Sequence, residues 1–242
     1  TTTLRNAASE PHVQDLCRML TAMGAEISGI GSNLLEVRGR PRLGGCEFEL
    51  GSDVVEIGSF IGLAAATRGE LEIRDAPLEN LRSIQLAFGK LGIHWERDGD
   101  TILVPQPQEM RVVPDIGGMI PRIHDAPWPG FPADLLSIAV TVATQAEGTI
   151  LLHEWMFESR MFFLDKLVGM GARIILCDPH RAVVSGPARL AGAEIVSPDI
   201  RAGMALLIAA MCAHGQSTIN NVYQIERGYE ELAERLAALG AV

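Results

Sequence analysis

An internal repeat limits the folds open to this chain more than any other feature of its sequence. Three alanine-rich apolar runs are each followed by a glycine and then by a short β-type segment; these glycines are Gly69, Gly148 and Gly215. A second glycine follows each of the first after 23, 23 and 25 residues, at Gly92, Gly171 and Gly240. Apolar runs that end at a glycine are typical of buried helices closed by a glycine cap. The spacing therefore predicts three equivalent helix–strand–helix segments.

Two strand-like segments with a turn between them follow the second glycine of a unit. They read IHWERDGDTILVP after Gly92 and ARIILCDPHRAVVSG after Gly171, and AEISGIGSNLLEVRG follows Gly24 in the same way. Asp-Gly, Asp-Pro and Gly-rich stretches are turn sequences, and Gly29-Ile-Gly31 is too short for a dinucleotide-binding loop. The unit is thus helix–strand–helix–strand–strand, and the sequence predicts an α/β (α+β) fold of repeated units.

Charge and cysteine content exclude several classes of function. The formal net charge of −10 argues against a nucleic-acid or anionic membrane surface. The four cysteines are scattered, which predicts free thiols, and the histidines lack the spacing of metal ligands. The sequence shows no signal peptide and no apolar run of membrane-spanning length, so we expect a cytoplasmic protein.

A single acid stands before the second alanine-rich run, in the segment PWPGFPADLLSIAV. Asp134 follows three prolines, at residues 127, 129 and 132, which restrict the backbone that leads to it. Asp53 and Asp199 precede the other two runs, so an acid at the helix start is a recurring feature of the unit. Such an acid caps a helix, and this alone would explain it. We expect Asp134 both to cap its helix and to serve in chemistry.

Four segments in order resemble the enolpyruvyl transferases: PGFPAD, FESRMFFLDKLVGMGA, PDIRA and YQIERGYEELAERLAALGA. The resemblance implies two lobes, each of three αβ units around a pseudo-threefold axis, with the first lobe only partly present. Residues 1–49 would be the last unit of the first lobe. Residues 50–242 would form the second lobe, with three helix-headed units, the last of them truncated. The chain begins and ends within a unit and lacks an initiating methionine, so we expect an excerpt of a longer protein.

Within that family the segments are most similar to members that act on UDP-N-acetylglucosamine. The resemblance implies transfer of the enolpyruvyl group of phosphoenolpyruvate to the sugar 3-hydroxyl, the first committed step of peptidoglycan synthesis. It assigns catalysis to Asp134 and substrate binding to Asp134, Met156, Arg160, Arg201 and Arg227. It implies no metal or organic cofactor, no nucleic-acid or membrane partner, and a monomer once the first lobe is complete. This chain alone would hold only part of the active site.

Two alternatives remain open at this point. The chain could act on another hydroxyl, that of shikimate 3-phosphate or of a nucleoside. It could also be a non-catalytic αβ-repeat module that binds a nucleotide sugar, because Ser159 replaces an asparagine that the family has in its Phe-Glu-Asn-Arg segment.

Overall fold

The computed structural model describes residues 1–241, and its first αβ unit lies at the start of the chain. Its elements are β1 (Thr2–Arg5), α1 (Pro11–Ala22), β2 (Glu26–Ser28) and β3 (Leu34–Arg38). The strands form an antiparallel sheet in the order β1-β3-β2. The predicted turn at Gly29 is confirmed: its φ is +81°, and a Cβ there would lie 2.0 Å from the carbonyl oxygen of Leu34. Only glycine fits this position.

The second unit repeats this topology with an additional helix at its head. Its elements are α2 (Val54–Thr67), β4 (Leu71–Ile73), α3 (Arg82–Gly89), β5 (Glu96–Asp98) and β6 (Thr101–Val104). The sheet order is β4-β6-β5, and the predicted hairpin turn after Asp98 is confirmed. Arg68, with φ 59°, adopts the left-handed conformation that ends α2. The prediction of Gly69 as the cap is therefore wrong by one residue.

The third unit contains a four-stranded sheet in the order β7-β8-β10-β9. Its elements are β7 (Arg122–His124), α4 (Leu136–Ala143), β8 (Gly148–His153), α5 (Leu164–Gly169), β9 (Arg173–Asp178) and β10 (Arg181–Gly186). The β7 strand pairs in parallel with β8 and was not predicted, because three residues are too few to show a β period. Gly148 opens β8 and does not end the preceding helix, which stops at Ala143.

The fourth unit again places a helix between two parallel strands. Its elements are β11 (Glu194–Val196), α6 (Ile200–Cys212), β12 (Thr218–Asn220), α7 (Tyr223–Glu226) and α8 (Leu232–Ala238). The glycines that were predicted to follow the second helix of each unit have φ values of 80°, 106° and 95°, at Gly92, Gly171 and Gly240. This part of the repeat is confirmed.

The core forms where α2, α4 and α6 pack against one another. Their alanine-rich sequences allow close approach: a Cβ at Gly58 would lie 2.5 Å from Leu135, and one at Gly62 would lie 2.9 Å from Ile138. Residues 57–66 of α2 are buried throughout. The predicted fold of repeated αβ units with buried alanine-rich helices is thereby confirmed. No helix among residues 1–241 has the length and apolar character needed to cross a bilayer.

Candidate functional site

The three acids that precede the alanine-rich helices differ in what their carboxylates contact. Asp53 accepts a hydrogen bond from the backbone N–H of Val55 at 2.8 Å, so it caps α2. Asp199 accepts from the N–H groups of Arg201 and Ala202, at 2.8 and 2.9 Å, so it caps α6. These two are helix caps of the usual kind.

Asp134 caps nothing, and the prediction that it serves as a helix cap is wrong. It lies within a 3-10 turn, Ala133–Leu135, that precedes α4, and the turn has no side-chain cap. Asp134 is instead an acid of the first helical turn, where its negative charge is favoured by the helix dipole. Its Oδ2 accepts from Nε of Arg201 at 3.0 Å, and its Oδ1 lies 3.4 Å from Nη2 of Arg160. The structure thus joins three of the predicted site residues.

The two arginines reach Asp134 from different units. Arg160 follows β8 in a loop whose preceding residue, Ser159, has a left-handed φ of 64°, and its guanidinium lies 5.0 Å from the centre of the Phe157 ring. Arg201 is in the first turn of α6. Fork-shaped guanidinium groups bind phosphate and carboxylate through paired hydrogen bonds. Two of them beside one carboxylate leave a net positive charge.

The contacts of Arg201 favour a role in the site more clearly than those of Arg160 do. Its guanidinium lies 5.6 Å from the centre of the Tyr229 ring, and its Nη1 is buried without a hydrogen-bond partner among the described residues. Burial lowers the pKa of Arg201, but interactions with Tyr229 and Asp134 outweigh it and leave the pKa above its ordinary value. Arg201 is therefore a permanent cation with an unused donor.

Tyr229 is a site residue that the sequence did not reveal. It is fully buried, and its hydroxyl lies 2.8 Å from Oγ of Ser59 in α2. Burial raises the pKa of this phenol. Ser59, Tyr229, Arg201, Asp134 and Arg160 thus form a continuous path across the three helix-headed units. Its only sequence signal is the position of Tyr229 two residues after Arg227 in the resemblance segment.

We expect Tyr229→Phe to lower the free energy of unfolding by about 1 kcal/mol, because it removes one buried hydrogen bond. Ser59 keeps its bond to the carbonyl of Val55, so the loss is limited to the hydroxyl pair. Urea denaturation measures the effect. Tyr223→Phe is the matched control, because Tyr223 is 61% exposed, and it should change stability little. Equal effects of the two changes would contradict a structural role for the Tyr229 hydroxyl.

A cleft of about 270 Å³ opens in front of Asp134. Met156 and Phe157 line it together with residues 8 and 10–13 of the first unit. The loop 126–134 and the start of α2 complete the lining. Met156 and Asp134 therefore face the same space, as expected for residues that bind one substrate.

Arg227 is the predicted site residue that the structure does not bring into contact with the others. It ends α7, and its Nη1 donates to the side chain of Gln224 at 3.2 Å. The next residue, Gly228, lies directly against the site: a Cβ there would meet Ile200 at 2.4 Å and Nη1 of Arg201 at 3.4 Å. Arg227 is thus adjacent to the cluster in sequence but separate from it in its contacts.

Comparison with known proteins decides which family this arrangement represents. A protein-family model described as EPSP synthase (3-phosphoshikimate 1-carboxyvinyltransferase) matches residues 1–236. The chain belongs to this EPSP synthase family. The match confirms the predicted resemblance to the enolpyruvyl transferases.

Curated relatives share well over half of their aligned residues with this chain. The UDP-N-acetylglucosamine 1-carboxyvinyltransferases of Treponema denticola and Bradyrhizobium diazoefficiens are 64% and 59% identical to it over 240 residues. Each alignment covers 99% of this chain and 56% of the relative. The chain therefore spans about half the length of the curated relatives that it matches.

Solved structures of an enolpyruvyl transferase and of an EPSP synthase share the fold. The enolpyruvyl transferase NikO from Streptomyces tendae superposes with a TM-score of 0.85 at 25% identity, over 100% of this chain and 56% of NikO. EPSP synthase from Acinetobacter baumannii superposes with a TM-score of 0.64 at 20% identity, over 90% of this chain and 52% of that one. Within residues 1–241, no group of three or more His, Cys, Asp and Glu side chains is placed to hold a metal ion.

Proposed function

We propose that this chain carries part of the active site of an enzyme that transfers the enolpyruvyl group of phosphoenolpyruvate to the 3-hydroxyl of UDP-N-acetylglucosamine. The proposal places the reaction in the cytoplasm, at the first committed step of peptidoglycan synthesis. The observation that carries it is the Asp134 carboxylate, which caps no helix and faces the cleft between Arg160 and Arg201. The names of the relatives at 59–64% identity support the choice of acceptor.

Asp134 has the role of proton acceptor in this proposal. The sugar oxygen forms a bond to C2 of phosphoenolpyruvate while its proton passes to Asp134, and C3 of the donor gains a proton from a general acid. Elimination then returns a proton from C3 to the conjugate base of that acid, re-forms the C2–C3 double bond and breaks the bond from C2 to the phosphate oxygen, and the phosphate leaves with the proton that Asp134 had accepted. A carboxylate within reach of the hydroxyl is the group that such a transfer needs. Its side chain is about one-third exposed, at 36%, so a substrate in the cleft can touch it.

Arg160 and Arg201 bind the phosphate and carboxylate of the donor. Asp134 neutralises only one of the two positive charges of Arg160 and Arg201. The phosphate and carboxylate of the donor supply the further negative charge that balances these arginines. The Nη1 of Arg201 is buried without a hydrogen-bond partner among the described residues, so an anionic oxygen that entered the small pocket lined by Arg160 and Arg201 would supply the missing acceptor. Arg227, which is exposed and donates a hydrogen bond to Gln224, is the third cation we assign to the donor. Met156 and the residues around it bind the nucleotide sugar across the cleft.

Incubation of the full-length gene product with phosphoenolpyruvate and UDP-N-acetylglucosamine tests this proposal. We expect release of one inorganic phosphate for each acceptor consumed, and no release without the acceptor. Shikimate 3-phosphate and a free nucleoside in place of the nucleotide sugar test the alternative acceptors. Release with either of these alone would reassign the acceptor, and tight binding of the nucleotide sugar without phosphate release would favour the non-catalytic module.

A further inference from the structure

Two buried carboxyl groups lie beside the arginine pair, and the proposed reaction uses neither. Asp125 is 0% exposed and Glu154 is 1% exposed. Asp125 directly follows β7, and Glu154 directly follows β8. Because β7 and β8 are parallel with His124 opposite His153, the two acids leave the sheet side by side.

Asp125 fixes the loop that carries site residues. Its carboxylate accepts hydrogen bonds from the backbone N–H groups of Trp155 and Met156, the latter at 2.9 Å. Both of its oxygens are thus occupied by backbone donors. The loop that starts here runs through Met156, at the cleft, to Arg160, beside Asp134. Asp125 is therefore a rigid anchor for that loop.

Glu154 has a different environment although it stands next to Asp125. Its buried carboxyl group leaves the sheet beside that of Asp125, and its Oε1 has no partner among the described residues. Burial first, and then the hydrogen bond and charge of Asp125, raise the pKa of Glu154 to about 8, while the charge of Arg160 opposes the shift. Glu154 therefore carries a proton at neutral pH.

Charged groups of three further elements face Glu154. Arg160 and, from the start of α6, Asp199 and Arg201 line the same small pocket. The turn between β9 and β10 supplies His180, whose Nδ1 lies 3.0 Å from the backbone oxygen of Glu154. Glu154 also lines a second, more open pocket, together with His153, Glu158, Asp178 and Arg181. Asp199 is engaged as the cap of α6 and Asp134 pairs with both arginines, so a charged Glu154 would add a second anion against them.

We propose that Glu154 is a positioning residue that stays protonated against Asp125 and thereby leaves Arg160 and Arg201 with the net positive charge that binds the donor phosphate. The inference rests on the proposed function of the site. It gives the carboxyl pair two tasks: Asp125 holds the Met156–Arg160 loop in place, and Glu154 keeps the charge of the site favourable for an anion.

The pH dependence of donor binding tests the charge-setting task. In the full-length protein we expect the KM for phosphoenolpyruvate to rise about tenfold between pH 7 and 9. Glu154 loses its proton in this range, and the negative charge that appears beside the arginines should weaken donor binding by about the equivalent of one pKa unit. Turnover at saturating donor should change less. Glutamine mimics the protonated acid, so in Glu154→Gln the same KM should change by less than about twofold.

Glu158→Gln is the matched control, because Glu158 lies in the same loop with a side chain that is 85% exposed. It should keep the wild-type pH profile. A Glu154→Gln profile that follows the wild type, or a wild-type KM that stays flat to pH 9, would overturn the inference.

Unfolding equilibria separate this inference from the proposed function. A folded-state pKa raised from 4.5 to about 8 means that the folded protein holds one proton more than the unfolded chain between these pH values. The free energy of unfolding then falls as pH rises through this window, and Glu154→Gln should remove that part of the slope. Equal slopes overturn the inference whatever the enzyme does. If the parent and Glu154→Gln differ in these slopes but the enzyme shows no turnover, the proposed function fails and this inference does not. The affinity for inorganic phosphate at pH 7 and 9 then replaces KM as the measure of how the charge of Glu154 affects anion binding.

Discussion

Asp134→Asn should reduce the turnover of the full-length protein by about 10²-fold or more, with both substrates saturating. The amide cannot accept the proton of the sugar hydroxyl, whereas its size and hydrogen-bonding oxygen are retained. Stability should change by only about 1 kcal/mol, because the ion pairs of this carboxylate with Arg160 and Arg201 are partly exposed and no helix cap is lost. Steady-state kinetics and urea denaturation of the same preparation measure the two effects.

The repeat itself supplies the control for this prediction. Asp53 and Asp199 precede the equivalent helices, and asparagine caps a helix about as well as aspartate. Asp53→Asn should therefore leave both stability and turnover close to those of the parent. Asp199→Asn should behave in the same way at α6. Similar turnover losses in all three variants, or no loss at Asp134, would show that this carboxylate takes no part in proton transfer.

Arg201→Lys should lower kcat/KM for phosphoenolpyruvate by about 10²-fold while the KM for the nucleotide sugar changes far less. Lysine keeps the charge but loses the planar fork, and with it the Nε contact to Asp134 and the free Nη1 donor. The backbone N–H that Asp199 caps is unaffected, so α6 should remain intact. Initial rates over a matrix of both substrates separate the two KM values.

An arginine away from the site serves as the comparison for Arg201. Arg189 is exposed in the loop that follows β10, and Arg189→Lys should leave both KM values unchanged. A loss in Arg201→Lys that falls equally on donor and acceptor would show that Arg201 supports the site as a whole. It would not then bind the donor specifically.

Local signals in the sequence predicted the parts of the fold that depend on near neighbours. The Asp98-Gly99 turn and the positive-φ glycines that follow the second helices were predicted correctly, because each depends on backbone conformation within a few residues. Helix capping also depends on near neighbours, so the sequence predicts that the acids before the helices are caps. That interpretation fits Asp53 and Asp199 but fails for Asp134, since a 3-10 turn moves the start of α4 past the acid.

The sequence by itself determined the repeat, its buried alanine-rich helices and the segments that mark the family. Tertiary structure alone decided what surrounds the acid that faces the cleft. The contact of Asp134 with Arg201 spans 67 residues, and that of Ser59 with Tyr229 spans 170. The Asp125–Glu154 pair likewise exists only because β7 and β8 lie side by side. No local pattern encodes such contacts, because they form when the apolar helices bury their faces together and bring distant side chains to one end of the core.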